Sequence, residues 1–479
     1  MSDVRDAAIA EEHELERALG PWSLIALGIG AIIGAGIFVI TGTAAAEHAG
    51  PALIISFIIS GIGCLFAGLC YAEFAAMIPV AGSAYTYSYA TMGRYVGWFI
   101  GWNLVLEYLV AASTVAVGWS GYFNSLMKDM GIHLPPALVN APLTFSPGHQ
   151  IVFTGALVNL PAIVLIVLLS TFLIVGVKES ARFNGLMVLI KVAVVLLVII
   201  FGASFIKPDN LSPFIPPNTG TFGQYGWSGI LAAAGLVFFA YIGFDAVSVA
   251  AQEAKNPQKN MPIGILGSLF ICTVLYILMS LVLTGIAPYK TLDVNHPVSF
   301  AVQQVSALRW LAPIVNIGAT VGLASVVFVS LYGQSRIFYA MARDGFLPRV
   351  FCKTHPRFKT PFNGTVITAA FAVVLAGLLP LDILSELVSI GTLAAFTVVC
   401  IGVMILRVRD PQAERPFRTP FVWFVGPAGV LVCGAMMYGL PFDTWVRLGI
   451  WTVIGFLIFF IYGVRHAGRM PHWMAERIK

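Results

Sequence analysis

Three ionisable residues stand inside long apolar runs. Lys191 lies in FNGLMVLIKVAVVLLVII, Glu107 in GWNLVLEYLVAAS and Asp245 at the end of FFAYIGFD. Lys191 falls about eight residues from the nearer polar edge, roughly 12 Å deep at 1.5 Å per residue, close to the middle of a hydrocarbon core about 30 Å thick. An ammonium there costs about 2.5–3.5 kcal/mol on insertion scales, so the default reading is functional. Giving up its proton relieves that cost, which makes Lys191 a candidate reversible proton carrier. A lysine snorkelling to the interface is the competing reading, and the depth exceeds easy reach. Glu107, about thirteen residues into its run, is too deep for an interfacial charge. A place in a substrate cavity and one half of a structural pair suit it equally. Asp245 reads as a gate or helix-end partner in preference to a substrate ligand. Glu73, nearer the end of its run, reads as facing water there.

The elements that must position these groups look broken. Gly28, Gly30, Gly34 and Gly36 crowd the middle of the first apolar run, and Gly243 interrupts the sixth beside Asp245. Close packing through Gly30 and Gly34 is one explanation. An unwound segment is the other, and it explains why corresponding members of two consecutive five-helix sets are both interrupted. Unwinding frees N–H groups that can hold a carboxylate and carbonyls that can hold an ammonium. A zwitterion such as an α-amino acid presents both, although other zwitterions fit as well. A dinucleotide loop is disfavoured, because no strand–turn–helix context surrounds the glycines.

Composition supports a bilayer as solvent. Of 479 residues, 58% are hydrophobic and 10% charged, with a mean hydropathy of +0.89; a soluble domain carries roughly 25% charged residues. Twelve apolar stretches emerge near 22–46, 52–78, 95–127, 151–175, 184–206, 228–252, 262–287, 310–341, 364–380, 384–406, 421–440 and 445–465. Placing the N-terminus in the cytosol leaves only Lys128, Lys207, Lys290, Arg309 and Arg447 outside, a strong positive-inside bias that puts both termini in the cytosol. The opening MSDVRDAAIAEEHELERALG lacks an apolar core and reads as a cytosolic tail, not a cleavable signal. The six cysteines, Cys64, Cys70, Cys272, Cys352, Cys400 and Cys433, form no CxxC-type pair, and the histidines show no metal spacing. No convergent Ser/His/Asp or metal cluster suggests an enzyme.

The residues also resemble a known family. GIGAIIGAGIF (28–38), PVAGSAYTYSY (79–89), FFAYIGFDAVSVAAQEAKNPQKNMPIGI (238–265), SRIFYAMARDGFLP (335–348) and ELVSIGTLAAFTVVCIGVMILR (386–407) resemble the amino acid–polyamine–organocation superfamily, most closely its cationic amino acid transporter branch in a bacterial form. The resemblance implies an all-α polytopic membrane fold of twelve helices. It divides into a tail (1–20), a first repeat of helices 1–5 (21–207), an inverted second repeat of helices 6–10 (226–408), helices 11–12 (421–465) and a second tail (466–479). It implies a bacterial inner-membrane transporter, a proton-coupled symporter of small neutral or cationic L-amino acids. An exchanger or facilitator is the alternative in the same class, and a nutrient-sensing receptor on a transporter scaffold is one from another. By resemblance, the substrate carboxylate meets amides at Ala35 and Gly36, and its ammonium meets carbonyls of Ile32, Phe239 and Ile242, with Ala240 in the same site. Ala35 stands where many members have Ser or Thr, so backbone groups must carry carboxylate binding. Lys191 matches the lysine of proton-coupled members, so a proton and no sodium site is expected, with no other cofactor and no metal. Glu107 and Ser330 match positions that resemble the mammalian cationic transporters, and would admit a lysine or arginine tail; the surrounding apolar residues suit alanine-sized substrates equally. Expected partners are the amino acid and membrane lipid, with room for a small membrane subunit and none for nucleic acid; the oligomeric state is open.

Overall fold

The computed structural model describes residues 19–77, 83–145, 151–175, 181–249, 254–355 and 360–466. The expected tails, except residues 19, 20 and 466, lie outside the described residues, as do the basic residues Arg5, Arg17, Lys178, Arg357, Lys359, Arg469, Arg477 and Lys479 and parts of the 79–89 and 238–265 motifs.

The described chain is built on helices α1 (Pro21–Ile32), α2 (Leu53–Met77), α3 (Ser83–Met92), α4 (Arg94–Asp129), α5 (Leu160–Val175), α6 (Ala181–Ala203) and α7 (Gly226–Val237). They continue as α8 (Pro257–Ile286), α9 (Pro297–Gln304), α10 (Leu311–Arg343), α11 (Phe362–Leu378), α12 (Leu381–Arg409), α13 (Val422–Gly439) and α14 (Phe442–His466). Among the described residues, nine helical spans are long and apolar enough to cross a membrane, with α2 counted from Gly36 and α7 continued to Ser248, and α1, α5 and α11 are shorter apolar helices. Together they occupy the twelve stretches read from hydropathy. Pro21, Pro257 and Pro297 each open a helix, where the missing N–H costs nothing and the fixed φ is already helical. Gly93, at φ +90°, turns the chain between α3 and α4 in a conformation that other residues rarely adopt.

Two expectations need correction. The fourth apolar stretch does not begin as a helix at 151: Ile151–Phe153 pairs as a strand with Leu143–Phe145 in an antiparallel hairpin, and α5 starts only at Leu160. Hydropathy cannot tell a short apolar strand from a helix, and Gly155, at φ +81°, separates the two. Glu73 does not face water. It is fully buried, and both carboxylate oxygens receive Arg407, from Nε at 3.0 Å and Nη2 at 2.8 Å. Arg415 Nε lies 3.2 Å away, and the Thr419 N–H donates at 2.8 Å. A carboxylate taken out of water stays charged only when paired and hydrogen-bonded in this way.

Packing follows from the same solvent logic. α8 lies along α1 and α2, α10 along α4, and α12 along α13. Faces away from these contacts carry exposed Leu189, Phe270, Phe371 and Leu431. That is the pattern of helices whose outer surface meets hydrocarbon while every backbone group is satisfied within the helix.

Candidate functional site

The first helix breaks after Ile32. Ile33 is extended (φ −72°, ψ 101°), and the chain resumes as a π-helical turn, Gly36–Ile40. The α7 helix tightens into a 3-10 turn, Phe238–Tyr241, and then leaves helical geometry at Ile242 and at Gly243, where φ is +113°. The two breaks touch. A Cβ on Gly36 would come within 2.2 Å of Ala240 Cα, and one on Gly243 within 2.9 Å of the Ala31 carbonyl. Glycine is needed at both places because backbone meets backbone, and at Gly243 also because of its φ. The glycines of the first run therefore serve an unwound crossing as well as packing.

Beside the crossing is a cavity of about 40 Å³. Its lining includes Ile32, Ala35 and Gly36 from the first break, Phe239, Ile242 and Asp245 from the second, Glu107 from α4 and Ser330 from α10. Two of the proposed site residues lie elsewhere. Ala240 sits behind the lining against Gly36. Lys191 is not among the lining residues; it is 1% exposed, and its Nζ donates to Gly30 O at 2.7 Å.

Helix ends supply the polarity. The resumed helix leaves its first amides, around Ala35 and Gly36, without intrahelical partners. Of the carbonyls singled out above, Ile32 O accepts the Tyr276 hydroxyl at 3.1 Å, and Phe239 O accepts the Ile242 N–H at 3.2 Å. Each keeps a second lone pair. Tyr276 also donates to Ala240 O at 2.7 Å and so bridges the two breaks. Sequence reasoning missed it, because nothing in the α8 pattern distinguishes a bridging tyrosine from a packing one.

Glu107 sits in a π-helical turn, Leu106–Val110, the kind of local widening that recurs at functional sites. Its side chain is 3% exposed, and Oε1 has no hydrogen-bond partner. Its carboxyl group meets that of Asp245, and the Tyr108 hydroxyl donates to Asp245 Oδ2 at 3.0 Å. Tyr108 is a second residue that sequence reasoning missed, although it adjoins Glu107.

The cavity is sealed on one side. Phe38, Val39 and Ile40 are buried, the Tyr122 hydroxyl donates to Phe38 O at 2.5 Å, and Val39 and Leu381 close around Gly118. On the other side Ala31, Ile242, Gly243 and Ser330 keep partial exposure. The free cysteines form no part of the lining, and five of the six are buried.

Two interrupted helices whose ends converge on a bilayer-buried cavity define a secondary transporter scaffold rather than an enzyme. Residues 19–464 match the amino acid permease family. The chain is 49% identical over 461 residues to a methylthioribose transporter of Bacillus subtilis, covering 96% of each protein. It is 46% identical over 462 residues to a branched-chain amino acid permease of the same organism, again covering 96% of each. It is also 40% identical over 411 residues to a mitochondrial cationic amino acid transporter of Arabidopsis thaliana, covering 85% of this chain and 66% of that protein. The chain belongs to the amino acid permease family: it is a multi-pass membrane transporter.

Proposed function

We propose that this permease imports L-amino acids, small neutral or cationic, by alternating access, with a proton as the coupling ion and Lys191 as its carrier. The observation that carries the proposal is the bond from Lys191 Nζ to Gly30 O, which holds α1 two residues before its last helical residue, Ile32. A charged Lys191 donates to that carbonyl and ties α1 to α6. Deprotonation weakens the tie and releases the half-helix that lines the cavity. In this reading the substrate carboxylate rests on the amides of Ala35 and Gly36, its ammonium on the carbonyls of Ile32, Phe239 and Ile242, and its side chain points toward Glu107 and Ser330. Residues 21–207 and 226–408 form the two inverted repeats, and the face rich in arginine and lysine lies in the cytosol. No sodium is required, since the ammonium supplies the positive charge beside α1.

The same bond also suits an exchanger in which Lys191 only props α1. Uptake of labelled alanine, lysine and arginine into proteoliposomes separates the two, with and without an inward proton gradient, for wild type and Lys191→Ala. Stimulation by the gradient, lost in Lys191→Ala while exchange persists, is expected. Uptake indifferent to the gradient in both proteins returns Lys191 to a structural role.

A further inference from the structure

Within the cavity, Glu107 and Asp245 bring two carboxyl groups together. Ionised carboxylates only accept hydrogen bonds, so a bond between them needs a proton on one. Two adjacent anions in a site shielded from water cannot both stay ionised without a cation. The pair with one proton carries one negative charge.

The surroundings keep this charge count local. Tyr108 donates to Asp245, and Tyr71 stands beyond Tyr108. Charged groups on the packed helices lie toward helix ends: Arg94, Lys128 and Asp129 on α4, Asp382 and Glu386 at one end of α12 and Arg407 and Arg409 at the other. On α10, Arg336 stacks over Tyr332 and Arg343 adjoins Asp344. Lys191 donates to Gly30 O and is not among the residues that line the cavity. Glu107 Oε1 remains as a buried acceptor without a partner.

We propose that the Glu107–Asp245 pair is a proton-for-cation exchange site: it keeps its proton when the bound side chain is neutral and releases it when a lysine- or arginine-type side chain enters. The proposal deepens the amino acid reading of this cavity and rests on it. A cationic tail brings one positive charge and several N–H donors, enough to satisfy both carboxylates and the idle Oε1. The cavity then carries one negative charge with either substrate: the pair and its proton beside a neutral side chain, or two carboxylates beside a cationic one. Alternating access meets the same electrostatic barrier in both cases, so one site serves both substrate types. The proton leaves to the solvent on the side from which the substrate came, and no bond other than O–H is broken.

Calorimetric titration of the purified full-length protein with L-lysine and with L-alanine, in buffers of different ionisation enthalpy, counts the protons released on binding. Between about pH 5 and 6.5 both α-amino groups stay charged, so the difference between the two amino acids reports the pair. Lysine is expected to release about one proton more than alanine, and its affinity relative to alanine to rise by roughly tenfold per pH unit. Both Glu107→Gln and Asp245→Asn should abolish that difference, and in wild type lysine should remove a protonated-carboxyl band from the infrared difference spectrum that alanine leaves in place. Equal proton release for the two amino acids overturns the proposal. So does a difference that persists in both variants, or failure of lysine to bind where alanine binds; these results leave amino acid transport standing. Binding of neither amino acid removes the amino acid reading along with the exchange site.

Discussion

A methyl group on Gly36 would stand 2.2 Å from Ala240 Cα, whereas one on Gly34 would meet nothing closer than the Val326 side chain at 3.4 Å. The two glycines look equivalent in the sequence and differ in what they face. Backbone cannot yield to a new atom as a flexible side chain can, and overpacking costs about 1–3 kcal/mol. Gly36→Ala should therefore lower the melting temperature in detergent and cut alanine uptake at least about tenfold, since it pushes apart the two breaks that line the cavity. Gly34→Ala should fold with little loss. Equal damage from both substitutions would show that the crossing is not what demands glycine. At the same scale, Glu107 and Lys191 were legible as buried charges because so few charges interrupt the apolar runs. Tyr276 and Tyr108 were not legible, since a tyrosine in an apolar helix suits both packing and hydrogen bonding.

Between elements, the buried Glu73 joins the end of α2 to the end of α12 and to the loop beyond it. Arg407 comes from α12 itself. Arg415 comes from the loop, and it also donates to the carbonyls of Leu406, Asp410, Pro411 and Ala413 that follow or close the helix. Breaking a buried pair leaves an uncompensated charge and costs about 3–5 kcal/mol. Glu73→Gln should lose stability of that order in a thermal melt. Glu386→Gln should lose about 1 kcal/mol or less, because its partner Arg447 is 25% exposed and solvent screens the pair. Similar losses would mean that the α2–α12 link is no stronger than a surface contact. The partner of Arg407 and Arg415 could not be read from spacing, since Glu73 is hundreds of residues away in the chain.

For the whole molecule, one side of the cavity is shut by Phe38, Val39 and Tyr122, and the other retains partial exposure. The positive-inside reading places the partly open side in the cytosol, and accessibility tests it. Among the native cysteines only Cys352 is more than slightly exposed, so Cys352→Ser provides a quiet background. In intact cells a membrane-impermeant thiol reagent should label Thr154→Cys, in the hairpin region, and should reach Glu414→Cys only after permeabilisation. The reverse pattern inverts the topology and the direction of the import reading.

The sequence by itself determined the solvent, the number of apolar stretches and the two places where helices break. These properties are written locally, in runs of apolar residues, in glycines and in charges that hydrocarbon tolerates poorly. The tertiary structure alone decided which broken ends meet. It brought Glu107 beside Asp245, bonded Lys191 to Gly30 of α1, set Ala240 behind the cavity and made Glu73 a buried ion pair. Each of these depends on contacts between residues far apart in the chain. Composition and spacing constrain how an element forms, but the partner that it meets is chosen by packing all the elements at once.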